Sequence, residues 1–349
     1  MGFNKGEWSE LYTFLYLLEQ PNLIIVDENL EVIEKHMFTV LEIILAKTKY
    51  QIFDEKIVKT VGNRKIKEYN IACITTQNAM LLQKILTHKK AKGSFEIKEL
   101  EVLVNDLLDG KKPKGGSKVK GDLEANVFDN NYSKIINLTY NIKSNLGSKA
   151  TLLNASNHTN FIYEVKDIND EIMNQSNRIM GRKKLLDRCE FLTKSGAKFD
   201  FIRTESHIFK NNLRLVDSNL DGILAKMLIL SYETNEKDIK KLLSLIIEDS
   251  SAEFYYKKKM GDFANAVTFG MRASEVWDGT NEVNGGIIIV TKKGEVYLLD
   301  LVYFKQSVDT YLIDNIKLDS PSSSRYKMFE IYKEGDKYYC KLNLQIRFK

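Results

Sequence analysis

Cysteine is scarce in this chain, and so are proline, histidine and tryptophan. The three cysteines, Cys73, Cys189 and Cys340, are odd in number and far apart, with no C-x-x-C pair among them. That excludes a zinc knuckle and a disulfide framework and leaves reduced thiols as the plain reading. The four histidines, His36, His88, His158 and His207, are scattered and offer no histidine-rich metal cluster. The start, Met1 to Glu7, lacks the apolar segment of a signal peptide. No stretch reaches the roughly 18 apolar residues that a membrane helix needs. A soluble, cytoplasmic protein without membrane contacts is expected. Glycine-rich nucleotide loops are missing too, because the G-x-x-x-x-G-K-[ST] spacing does not occur.

What is present is an ordinary folded composition, with 43% hydrophobic and 28% charged residues over 349 positions. That length buries a full core as one elaborate domain or two. The net charge of +5 is compatible with nucleic acid without demanding it, since acids and bases are interspersed. Ser9 to Glu19 carries a helical apolar stripe ended by Pro21, and Leu23 to Val26 reads as a short strand. Val40 to Ala46 is compatible with helix and Tyr69 to Thr75 with strand. Thr76 to Ala91 and Ile97 to Leu108 read as amphipathic helices, the second broken at Gly110. A basic, glycine-bearing loop, Lys111 to Lys120, follows; a solvated linker and a phosphate contact are both open for it.

The most informative stretch is Gly121 to Ser144, which reads as a β-hairpin turning between Asn131 and Tyr132. In that register Asp122 faces Asn141, Glu124 faces Thr139 and Asn126 faces Asn137. Leu123, Ala125 and Val127 then pair with Tyr140, Leu138 and Ile136 on the other, apolar face. Asp122, Glu124, Asn141 and Lys143 share the polar face. Beyond the hairpin, helices are expected within Asp167 to Ser195 and Leu220 to Ile247. Strands are expected at Phe161 to Val165, around Lys292-Lys293-Gly294, and from Tyr338 to Phe348. The fold class is α/β (α+β), a mixed sheet flanked by helices with additional C-terminal β elements. Residues 1–165 would hold the hairpin and 166–349 a helical and β region, with one continuous domain as the alternative.

A carboxylate facing an x-Lys pair on an adjacent strand is the core of a metal-dependent phosphodiesterase site. Phosphodiester hydrolysis needs an activated water, charge stabilisation at phosphorus and help for the departing 3′ oxygen, and a divalent ion held by carboxylates serves all three. Mg²⁺ prefers oxygen ligands and keeps several waters, so one or two acids plus phosphate suffice. Asp122 is the leading acid, and Lys143 would position or deprotonate the water or stabilise the pentacovalent phosphate. Asn141 stands where the usual D…[DE]-x-K pattern has a second acid. Its carbonyl oxygen still ligates, with Glu124 or the helix-borne Glu10 supplying the missing charge.

Several further stretches resemble the HpaII-like family of type II restriction endonucleases. They are Lys5 to Tyr12, Ile142-Lys143-Ser144 with Leu146-Gly147, Thr151 to Ser156, Thr159 to Tyr163, Trp277 to Thr280, Pro321 to Arg325 and Lys341 to Phe348, in family order along essentially the whole chain. The resemblance implies a PD-(D/E)xK core, Mg²⁺ dependence and cleavage of double-stranded DNA at a short palindrome, with CCGG the best-known target. It carries site roles to Asp122 and Lys143 and places Glu10 as a helix-borne acid reaching the metal. A small polar residue at the position of Asn141 is usual there.

For DNA contacts the candidates are Ser144, Asn154, Ser156 and Asn160 near the hairpin strand, Trp277 and Asp278, Arg325 and Arg347. The arginine fork suits guanine O6 and N7 or a phosphate. Each has a plain structural alternative: a satisfied loop residue, a packed indole or a sheet-edge charge. For Glu7 and Glu10 that alternative is an acid favouring the helix dipole. A palindrome matches a two-fold protein, so a homodimer on DNA is expected, with a separate methyltransferase protecting the same site. The rival readings are a repair nuclease of the same fold and a DNA-binding protein with a decayed site.

Overall fold

A computed structural model describes residues 2–88, 93–110, 121–247, 249–321 and 325–349. The chain forms two compact units. The first comprises Met1–Ala150 with Asn281–Tyr311, the second Thr151–Thr280 with Leu312–Lys349. This interleaving differs from a single boundary at residue 165. The segment Gly286–Val290 returns to lie parallel to Lys134–Ser144, and a parallel neighbour needs a long crossover that no local sequence signal marks.

The first unit is built on a mixed sheet of ten strands among the described residues. Across the sheet run Val32–Glu34, Ile25–Val26, Val296–Asp300, Gly286–Val290, Lys134–Ser144, Leu123–Asp129, Phe38–Leu45, Thr48–Ile52, Lys56–Val61 and Arg64–Asn70. The hairpin register is the expected one, with Leu123 opposite Tyr140 and Asn126 opposite Asn137. Leu123, Ala125 and Val127 are buried while their neighbours are half-exposed, the signature of a sheet with one covered face. The Gly286–Val290 strand is buried throughout, as a run of Ile and Val beside a parallel partner should be.

Two local expectations are corrected. Val40 to Ala46 is not helical: Phe38–Leu45 is a strand paired with Leu123–Asp129, because its β-branched residues bury alternately and the neighbour supplies the ladder. Tyr69 to Thr75 is not one strand. The strand ends at Asn70, whose side chain caps the helix Ile71–Thr87 by accepting the Ala72 amide hydrogen.

The N-terminal helix, Lys5–Glu19, is started by a capping box. Asn4 Oδ1 accepts from the Glu7 amide at 3.0 Å, and Glu7 Oε2 accepts from the Asn4 amide at 2.9 Å. Trp8, Leu11, Phe14, Leu15 and Leu18 are buried in the main core, so the helix is held on more than one face. Tyr12 donates to the Gly294 carbonyl at 2.6 Å, and burial pushes its phenol up to about 12.

In the second unit a four-stranded antiparallel sheet orders Lys198–Thr204, Asn160–Lys166, Lys337–Asn343 and Tyr332–Glu334. A three-stranded sheet sets Ile346–Phe348 between Thr151–Leu153 and Ile316–Leu318. Leu220–Glu233 is a largely buried helix, joined to the larger sheet where Tyr163 donates to the Ala225 carbonyl at 2.8 Å. No helix among the described residues is long and apolar enough to cross a membrane.

Candidate active site

Asp122 sits one residue before its strand begins, at the mouth of the hairpin. Its amide donates to the Tyr140 carbonyl at 2.9 Å, continuing the ladder by one bond. Its carboxylate then takes the place of a backbone acceptor, Oδ2 receiving the Ile142 amide hydrogen at 2.8 Å. The same oxygen lies 3.9 Å from Lys143 Nζ, and both side chains keep between a fifth and a third of their surface exposed, 29% and 22%. Acid and ammonium therefore meet at a solvent-reachable end of the sheet, Lys143 near the end of one central strand and Asp122 just before the start of its neighbour.

Gly121 makes this approach possible. A Cβ there would stand 2.0 Å from Thr139 Cγ2, so any larger residue would push the Asp122 end away from the partner strand. On the other side of the Lys143 strand, Gly285 leaves room for the Tyr140 ring, which a Cβ would meet at 2.5 Å. Asn284 Oδ1 accepts the Thr139 amide hydrogen at 2.8 Å.

Asn141 is buried on the strand between Tyr140 and Ile142, opposite the position just outside Leu123. Glu124 is two residues along from Asp122 and belongs to a polar rail. Its Oε1 accepts from Asn137 Nδ2 at 3.1 Å, Asn137 also donates to Asn126 Oδ1 at 2.9 Å, and Asn126 donates to Glu42 at 2.9 Å. Glu10 is half-buried, with Oε2 shielded from solvent. The preceding residue ties its helix to the Lys134–Ser144 strand: Ser144 Oγ donates to Ser9 Oγ at 2.9 Å, and Ser9 Oγ donates to the Lys5 carbonyl at 2.7 Å. Ser144 Oγ also accepts the Leu146 amide hydrogen. The sequence gives Ser9 no functional signal, since a buried helix serine carries none of its own.

Among the described residues no group of three or more His, Cys, Asp or Glu side chains forms a metal cluster. The donors expected from the sequence, the Asp122 and Glu10 carboxylates and the Asn141 amide, are all oxygen. That chemistry fits a hard ion keeping most of its water, and not zinc or another thiophilic metal.

The DNA-contact candidates, Ser144 apart, lie in the second unit. Asn154 is exposed in the loop after Thr151–Leu153. Asn160 is buried, its amide donating to Glu205 Oε2 and its oxygen accepting from Asn343, and Asn343 also donates to the Ser156 carbonyl. Trp277 borders a cavity of about 330 Å³ with His207 and Arg214, and its indole donates to the Thr280 carbonyl. Asp278 is exposed and caps the same turn by accepting the Thr280 amide and hydroxyl hydrogens. Arg325 is exposed; the serines before it, 322–324, and the basic stretch 111–120 lie outside the described residues. Arg347 lies on the central strand of the small sheet and pairs with Asp319 at 3.3 Å.

Comparison with known proteins identifies the family. The family model described as HpaII restriction endonuclease matches residues 4–348. The type II restriction enzyme HpaII of Haemophilus parainfluenzae is 34% identical over 99% of this chain and 98% of its own length. No solved structure matches. With a hairpin that brings Asp122 to Lys143 and a family match spanning nearly every residue, the chain belongs to the HpaII restriction endonuclease family and is a type II site-specific endonuclease.

Proposed function

We propose that this endonuclease hydrolyses both strands of double-stranded DNA at a short palindrome, CCGG, using Mg²⁺, with Asp122 and Lys143 at the centre of the reaction. The observation that carries the reading is the 3.9 Å approach of Lys143 Nζ to the Asp122 carboxylate at a half-exposed hairpin mouth. Asp122, Asn141 and Glu10 would hold the ion, and Glu124 would add charge nearby. Bound there, Mg²⁺ supplies charge stabilisation at the scissile phosphate and a more acidic water.

The chain's own residues do the rest. The Ile142 amide fixes the Asp122 carboxylate by occupying Oδ2. Lys143, held beside that negative charge, orients the attacking water and offsets charge that grows on the phosphoryl oxygens. Water oxygen bonds to phosphorus, the bond to the 3′ oxygen breaks, and a 5′-phosphate and a 3′-hydroxyl result. Ser144, Asn154, Ser156, Asn160, Trp277, Asp278, Arg325 and Arg347 would serve the DNA interface, some by direct contact and some by supporting the loops that make it.

A two-fold site calls for two copies of the chain, so a homodimer on DNA is part of the proposal. So is cytoplasmic action alongside a separate methyltransferase that protects the host's own sites. The test is a digest of unmethylated plasmid DNA with Mg²⁺, sequencing the ends, with Lys143→Ala in parallel. Discrete ends at CCGG, absent for the variant, are expected. No cutting in any divalent metal, or ends without a common sequence, would overturn it.

A further inference from the structure

Four stretches that stand apart in the sequence meet in the second unit around a groove of about 620 Å³. They are the start of the Asn160–Lys166 strand with the turn before it, Glu205 to Ile208, the segment at Tyr326 and Lys327, and the Lys341 end of the last long strand. His158 and His207 complete the rim. In its wall stands one ion pair, Lys341 Nζ to Glu205 Oε1 at 2.5 Å, with side chains 28% and 34% exposed.

The pair is held from behind with unusual care. Asn160 Nδ2 donates to Glu205 Oε2 at 2.6 Å, and the Glu205 amide donates to the Asn160 carbonyl at 2.8 Å. Asn343 Nδ2 donates to Asn160 Oδ1 at 2.6 Å and to the Ser156 carbonyl at 2.6 Å. Thr159 Oγ1 donates to Asn343 Oδ1 at 3.3 Å. Thr159, Asn160 and Asn343 are buried. A buried network so connected is rigid, and its output is one carboxylate and one ammonium fixed side by side at a groove wall. Burial alone would raise the Glu205 carboxyl, but Lys341 and Asn160 outweigh it and keep the group below the usual range.

A carboxylate fixed beside the ammonium gives the wall an acceptor as well as a donor, which phosphate, offering acceptors only, does not match. Such a wall suits an edge that offers donors and acceptors together. In the major groove a G·C pair presents guanine N7 and O6 as adjacent acceptors and cytosine N4 as a donor beside them. An ammonium next to a carboxylate matches that order, lysine to guanine and glutamate to cytosine. An A·T pair has no two adjacent acceptors.

We propose that Glu205 and Lys341, positioned by Asn160 and Asn343, read one G·C pair of the recognition sequence through the major-groove edge. The inference rests on the nuclease reading above and adds the residues that set specificity at one position. Cutting a randomised duplex library with the full-length protein and Mg²⁺, then sequencing the ends, tests it.

The wild type is expected to require G·C at the position concerned. Glu205→Gln and Lys341→Met are expected to lose about 10- to 100-fold of the discrimination at that one position and to keep it at the others. Lys341→Arg, which retains a donor, keeps the preference. A merely structural pair would instead slow cutting at every sequence alike. An unchanged sequence preference in both variants overturns the inference and leaves the nuclease reading standing. If both variants stop cutting, binding to cut-site and scrambled duplexes in Ca²⁺ decides. Reduced preference for the cut site supports the inference and full preference overturns it. A wild type that cuts nothing overturns the nuclease reading and this inference together.

Discussion

Asp122 accepts the Ile142 amide hydrogen at 2.8 Å through the same oxygen that faces Lys143 at 3.9 Å. The carboxylate thus substitutes for a missing backbone rung, and its position is set by the ladder and not by a flexible loop. Asp122→Asn keeps an oxygen for that amide and removes the charge. It is expected to cut at least about 100-fold more slowly while binding duplex DNA in Ca²⁺. Loss of binding alongside cutting would show that the aspartate shapes the interface. Lys143→Ala is expected to match it in both assays.

Gly121→Ala tests the close approach. The new methyl meets Thr139 Cγ2, and a destabilisation of about 1–3 kcal/mol is expected from overpacking. Adding Thr139→Ser removes that methyl group and should restore most of the loss in chemical denaturation. A double variant no more stable than Gly121→Ala would refute the contact as the cause.

Ser144→Ala removes the hydroxyl that joins the Lys134–Ser144 strand to Ser9. A loss of about 1 kcal/mol in stability is expected. Because Ser9 precedes Glu10 on its helix, the Mg²⁺ concentration for half-maximal cutting should also rise. An unchanged metal dependence with lowered stability would separate this bond from the site.

Asn141→Asp would supply the second acid of the usual pattern, opposite Asp122 and almost without solvent. Two facing carboxylates repel, so thermal stability in EDTA should fall. Mg²⁺ should restore it, and by more than it stabilises the wild type. Equal metal effects on the two proteins would place Asn141 outside the metal site.

Asp300 gives a pH signature in the same unit. Burial raises its carboxyl to about 6, against the opposing hydrogen bonds from the Tyr303 and Val302 amides. Below about pH 4 the folded and unfolded states both hold the proton. As pH rises toward 6 the unfolded state releases it first, so this group's contribution to stability falls, by roughly 2–3 kcal/mol in all. Above 6 the penalty is constant. Asp300→Asn should lack that slope when melting temperature is followed from pH 4 to 7, and an identical slope would assign it to other groups.

The hairpin, its register and the pairing of Asp122 with the Lys143 strand were legible from sequence because they depend on period-two alternation and a local turn. So was the body of the N-terminal helix, read from its apolar stripe over Ser9 to Glu19, while its start at Lys5 and the Asn4–Glu7 capping box were seen only in the structure. Phe38–Leu45 was not, since a short apolar run suits helix or strand and only its pairing with Leu123–Asp129 decides.

Sequence alone determined the placing of a carboxylate, Asp122, opposite the strand that carries Lys143, because residue types and strand spacing are local. Only the tertiary structure decided which residues stand behind that pair. The parallel docking of Gly286–Val290, the Ser9–Ser144 link and the Asn160–Asn343 network under Glu205 join positions more than 130 residues apart. Such contacts arise from which surfaces can be buried together with their polar groups satisfied. That choice belongs to the whole packed chain and leaves no periodic mark in any one segment.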